Sequence, residues 1–148
     1  MPVVGMNIKT IDARKNQEIT IAVKANTNTQ FKEIKEEEIK QIGRKGLLIG
    51  FEFRTEYVAD NSTKPLAEIK ITGDVLFLDV NEHDKIMKEW KKDKKLPEDI
   101  NLEIVNSVLR KCVVKALNIS EDLQLPPPIG LPFASKKEEK QGSSSYIG

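Results

Sequence analysis

The chain has 148 residues, with 24 Lys and Arg against 23 Asp and Glu, a net charge of +1, and one cysteine and one histidine. That length fits one domain able to bury a core, and the near-zero net charge supplies no global field for nucleic acid or anionic membrane. Cys112 and His83 exclude an internal disulfide and fall short of the about four ligands that a zinc site wants, while the absence of a signal pattern over Met1–Lys9 and of any run near the roughly 20 apolar residues of a membrane span leads us to expect a cytoplasmic protein.

Val4-Gly5-Met6-Asn7-Ile8-Lys9-Thr10 alternates apolar and polar positions, the period of a strand with one buried face. After the polar turn Ala13–Gln17 the alternation returns in Ile19, Ile21, Val23 and Ala25, which reads as a hairpin partner of the first strand. Over Phe31–Ile42, Phe31, Ile34, Ile39 and Ile42 stand among Glu33, Glu36, Glu37 and Glu38, a pattern open to a short helix or an extended acidic connection. Gly43–Gly46 reads as a turn. Beyond it Leu47, Ile49, Phe51, Phe53, Thr55 and Tyr57 form the longest strand pattern of the chain. Turn chemistry at Asp60–Pro65 leads into Ala67, Ile69, Ile71, Val75 and Phe77, with Gly73 predicting a bulge or bend at which the inward face changes. Four antiparallel strands without intervening helices indicate an α+β fold.

The period then lengthens. Asp79 or Asn81 is placed to cap a helix whose apolar face is Ile86, Met87 and Trp90, surrounded by six lysines between Lys85 and Lys95. Leu96-Pro97-Glu98-Asp99 breaks it, and a second helix follows in which Ile100, Ile104, Val105, Val108, Leu109, Cys112, Val113, Ala116 and Leu117 recur at three- and four-residue spacing. Three consecutive prolines make Leu125–Phe133 extended and apolar. The organisation expected is one domain over residues 1–133, including this strip, and a disordered polar tail over 134–148.

Nothing here asks for catalysis. No Gly-rich loop precedes a helix, and His83 lies among Glu82 and Asp84, where an exposed polar role is the plainer reading. Cys112 falls on the apolar face of the second helix as a buried, inert thiol. The Lys85–Lys95 cluster with Trp90 allows an alternative, an RNA-binding or adaptor helix with Trp90 stacking a base, but Asp84, Glu89 and Asp93 dilute its potential. Apolar residues exceed what two helices obviously cover: Leu48, Leu76 and Leu78 fall on the second face of the sheet, and the proline strip adds Ile129, Leu131 and Phe133. Excess apolar surface implies self-association or a client.

Phe51-Glu52-Phe53-Arg54-Thr55-Glu56-Tyr57, Ala67-Glu68-Ile69-Lys70-Ile71-Thr72-Gly73, the helical break at Leu96–Asp99 and the closing Leu123-Gln124-Leu125-Pro126-Pro127-Pro128-Ile129 occur in an order that resembles the export chaperone family SecB. The resemblance spans roughly Val4–Phe133. It implies a SecB-like four-stranded antiparallel sheet followed by two helices, no cofactor, a dimer of dimers, and ATP-independent holding of unfolded or preprotein polypeptides in hydrophobic grooves. The implied client-binding candidates are Phe51, Phe53, Tyr57, Trp90, Val105, Leu125, Ile129 and Leu131. SecB proteins are strongly acidic and dock the SecA motor, whereas this chain is near neutral with a mixed Lys/Glu tail after Ser135, so client holding is expected over delivery to a translocase.

Overall fold

The structure is a computed structural model and describes residues 3–40, 43–60, 63–79 and 81–130. Four strands, β1 (Val3–Lys15), β2 (Lys24–Ile39), β3 (Arg44–Val58) and β4 (Ala67–Phe77), precede two helices, α1 (His83–Asp93) and α2 (Glu98–Asp122). All strand pairs are antiparallel in the order β1-β4-β3-β2, which confirms the α+β class and places β1 and β2 at the edges.

This order corrects the expected β1–β2 hairpin. β1 continues to Lys15 and pairs with β4, and Ile19–Val23 belong to a connection that carries the chain to the opposite edge. Alternation reports which face a residue occupies and says nothing about its partner. The connection must cross about 14 Å, the width of three strand spacings. Asn16 anchors its departure, with its backbone N–H donating to Leu66 O at 2.8 Å and its side-chain amide to Pro65 O at 3.0 Å. Ile19 and Val23 then pack against the core, and Ile21 is left exposed.

The segment open to two readings, Phe31–Ile42, is extended as far as it is described, and β2 runs through it to Ile39. Its pairing with β3 slips by one residue between Phe31 and Glu33, a bulge that leaves Lys32 unmatched. Phe31 and Ile34 thus face the helices, Phe31 beside Phe51 and Ile34 beside Ile49.

β3 and β4 form the centre of the sheet. One face, with Leu47, Ile49, Phe51, Phe53, Thr55 and Tyr57 on β3 and Ala67, Ile69, Ile71, Val75 and Phe77 on β4, is fully buried. Large side chains lie opposite small ones across this pair, Phe51 beside Gly73 and Tyr57 beside Ala67, so the layer fills without overlap. Gly73 does not switch the inward face, since β4 alternates without interruption from end to end. The irregularity it permits lies on β1, between Ile8 and Thr10.

α2 closes the core with a stripe of Ile100, Ile104, Val108, Cys112, Ala116 and Ser120. Pro97 stands at its N-cap, and Glu98 and Asp99 complement the positive end of the helix dipole. At the other end Gln124 takes a left-handed φ of 58°, and Leu125 N–H donates to Ser120 O at 2.8 Å. That closure buries Leu125 and turns the chain into the proline strip. Tyr57 pins the strip, its hydroxyl donating to Pro126 O at 2.6 Å, and burial pushes that phenol above its usual 10.0.

Cys112, the sole cysteine, is fully buried on this stripe, and burial pushes its thiol from the usual 9.0 up to about 11. The native protein is expected to resist an aromatic disulfide reagent at pH 8 and to react fully once unfolded in urea; rapid native-state labelling would show that α2 opens. The raised value also sets an alkaline limit. This contribution is fully present below about pH 9.0 and is lost as pH rises towards 11, because the unfolded thiol ionises first.

Candidate functional site

The two faces of the sheet differ in chemistry. The face away from the helices is polar along most of its length, with Arg54 at the centre of an ion-pair cluster to Glu52 (2.9 Å), Glu68 (3.3 Å) and Glu56 (3.9 Å). A cavity of about 310 Å³ beside it is lined by polar and charged side chains, among them Asn28, Gln30, Glu52 and Arg54. The expected apolar second face shrinks to one corner at the β2–β3 hairpin, where Ile39 and Leu76 close over Gly46 beside half-buried Leu48.

On the helix-bearing side the chain from α1 into α2 meets the edge strand β2. α1 is tied there at its first residue, His83, whose Nε2 contacts the Glu36 carboxylate. His83 is therefore largely covered, contrary to the exposed role expected, and this hydrogen bond holds the Glu36 carboxyl below its ordinary 4.5. Neither Asn81 nor Asp79 is the N-cap residue. That position is Glu82, which makes no side-chain cap, while the Asp79 carboxylate accepts from Asn81 N–H at 3.0 Å and its carbonyl receives Glu82 and His83 N–H.

Between β2 and the α1–α2 junction lies a groove of about 390 Å³. Phe31, Trp90 and Leu96 supply its apolar floor, Lys94, Lys95 and Glu98 its rim, and Asn101 one end. Lys94 ends α1 in a left-handed conformation, φ 57°, with its N–H on Trp90 O and its ammonium 5.8 Å from the Trp90 ring centroid. Trp90 is only 7% exposed and has this cation over its ring, so it contributes a narrow strip of the groove floor beside Phe31 rather than an open face.

The structure divides the expected client-binding residues. Phe51, Phe53 and Tyr57, at 2%, 0% and 0% exposure, are core beneath the helices, a correction to their placement on a groove: alternation that marks a buried face cannot distinguish core from binding surface. Leu125 is likewise buried and Val105 half-buried, whereas Trp90 lines the groove and Ile129 is exposed. Leu131, Phe133 and the polar tail lie outside the described residues. Residues outside every site expected from sequence are Phe31 and Leu96 in the groove, and Ile11, Leu102 and Val114, large apolar side chains exposed by 49%, 55% and 58%. The lysine cluster was visible as composition. Its proximity to Phe31 depends on β2 taking the edge of the sheet.

Among the described residues, no group of three or more His, Cys, Asp or Glu is arranged to hold a metal ion, and no helix is long and apolar enough to cross a membrane. No protein-family model matches the chain, and comparison with curated proteins and with solved structures found no significant match.

Proposed function

We propose that the chain is a non-catalytic, ATP-independent holdase of the SecB type, binding unfolded polypeptides in the cytoplasm as a homo-oligomer, a dimer of dimers. The observation that carries this reading is the position of the groove over Phe31, Trp90 and Leu96 beside β2, a strand that pairs on one side only among the described residues. An extended client gains backbone hydrogen bonds from a free strand edge and side-chain affinity from an adjacent apolar pocket, without any reading of its sequence. Ile11, Leu102 and Val114 are further large apolar side chains open to a client. The strand-then-helix order and the proline-rich segment after α2, held by buried Leu125 and Pro128, support the SecB-like assignment.

The purified protein is expected to suppress aggregation of a thermally unfolding client at equimolar protomer without ATP, to enhance the fluorescence of a hydrophobic dye, and to run as a tetramer in native mass measurement. Failure of both the suppression and the dye response rejects the holdase; a monomer that still suppresses aggregation rejects only the assembly.

A further inference from the structure

The groove has a charge as well as an apolar floor. Lys94 and Lys95 stand on its rim against Glu98 alone, and across residues 84–95 six lysines face three acids, Asp84, Glu89 and Asp93. Lys9 pairs with Asp74, Lys15 with Glu18, Lys32 with Glu52, Lys35 with Glu33 and Lys85 with Glu82, whereas Lys94 and Lys95, like Lys88, Lys91 and Lys92 of α1, make no ion pair with any described residue. Lys94 also holds a backbone conformation that favours glycine, φ 57°, at a helix C-cap where glycine would serve better. A lysine there sacrifices cap stability and gains an unpaired ammonium beside Trp90, and local strain of this kind concentrates at binding sites.

We propose that this groove selects acidic polypeptide segments, seating one large apolar side chain on Phe31, Trp90 and Leu96 and holding a carboxylate next to it with Lys94 and Lys95. The selection rests on the holdase reading and narrows its clients to those whose exposed apolar residues are flanked by Asp or Glu. The neighbouring Lys91 and Lys92 on the last turn of α1 extend the same field.

Trp90 is the only tryptophan, so its emission reports the groove directly in the full chain. Three synthetic peptides of equal length, each with one central Phe flanked by Glu, by Ser or by Lys, would be titrated at low salt. The Glu peptide is expected to shift Trp90 emission with an affinity about fivefold above the Ser peptide, the scale of two solvent-exposed ion pairs, and the Lys peptide to bind weakest. The preference should disappear at about 1 M salt, where the screening length falls to roughly 3 Å. Lys94→Glu with Lys95→Glu should reverse the order. Lys94→Gly should raise the melting temperature through the better cap and still weaken the Glu peptide, a combination that a purely structural lysine would not produce. Equal affinity for the three peptides, a preference that survives charge reversal, binding without a Trp90 response, or a stronger response to a single-stranded RNA oligonucleotide than to the Glu peptide each overturns the proposal. Aggregation suppression with an uncharged client is measured in parallel: if it holds while the peptide preference fails, only the acidic selection falls, and if it fails too, the holdase falls with it.

Discussion

Gly73→Val is expected to destabilise the protein by at least about 3 kcal/mol. A Cβ at this position would lie 2.1 Å from the backbone oxygen of Asn7 and 2.9 Å from Cα of Ile8, both on β1. These atoms belong to the main chain and cannot rotate away as a flexible side chain would, so β1 must separate from β4 at this point. That separation strikes the row Phe51–Gly73–Ile8 across the sheet, next to the β1 bulge, and it loosens the packing of Met6 and Ile8 on the core. Gly5 is the internal control, because a Cβ there meets nothing within 4 Å. Gly5→Ala should therefore change stability by no more than about 0.5 kcal/mol. Urea unfolding followed by circular dichroism checks the pair. A Gly73→Val midpoint equal to wild type would mean that β1 does not close on β4 as described.

The same strand shows where sequence reasoning stops. The faces of β3 and β4 were legible, because each alternates over a long stretch and one side is continuously apolar. The partner of β1 was not legible, since the apolar residues of β1 suit β2 or β4 equally and the choice is made by long-range packing. In β2 the run Glu36-Glu37-Glu38 has helix-forming composition, yet the backbone pairs residue for residue with Leu47, Gly46 and Lys45, and tertiary pairing overrides local preference. The candidate site divided in the same way. Trp90 and the surrounding lysines could be seen as an amphipathic basic helix, but the groove exists only because the edge position of β2 brings Phe31 to Trp90 and Leu96. Phe51, Phe53 and Tyr57 were visible as an aromatic stripe; that α2 covers them depends on the helix lying across β3 and β4, which periodicity does not encode.

Phe53→Ala separates core from client surface by experiment. Phe53 is fully buried between Ile71 on β4 and Thr29 on β2, so truncation leaves a cavity the sheet cannot collapse to fill. A loss of about 3–5 kcal/mol is expected, a large share of the roughly 5–15 kcal/mol that holds a domain together, with a melting temperature lower by about 10 °C. Leu102→Ser combined with Val114→Ser should behave oppositely. Both side chains are more than half exposed on α2, so stability should shift by no more than about 0.5 kcal/mol per site, while the capacity to hold an aggregating client falls. Client capacity measured well below each variant's own melting transition distinguishes the roles, because there Phe53→Ala is folded and presents the same surface as wild type. If Phe53→Ala lost client capacity at such a temperature while the double serine variant kept it, clients would have to reach the β3 aromatic stripe itself, and α2 would have to lift from the sheet to admit them.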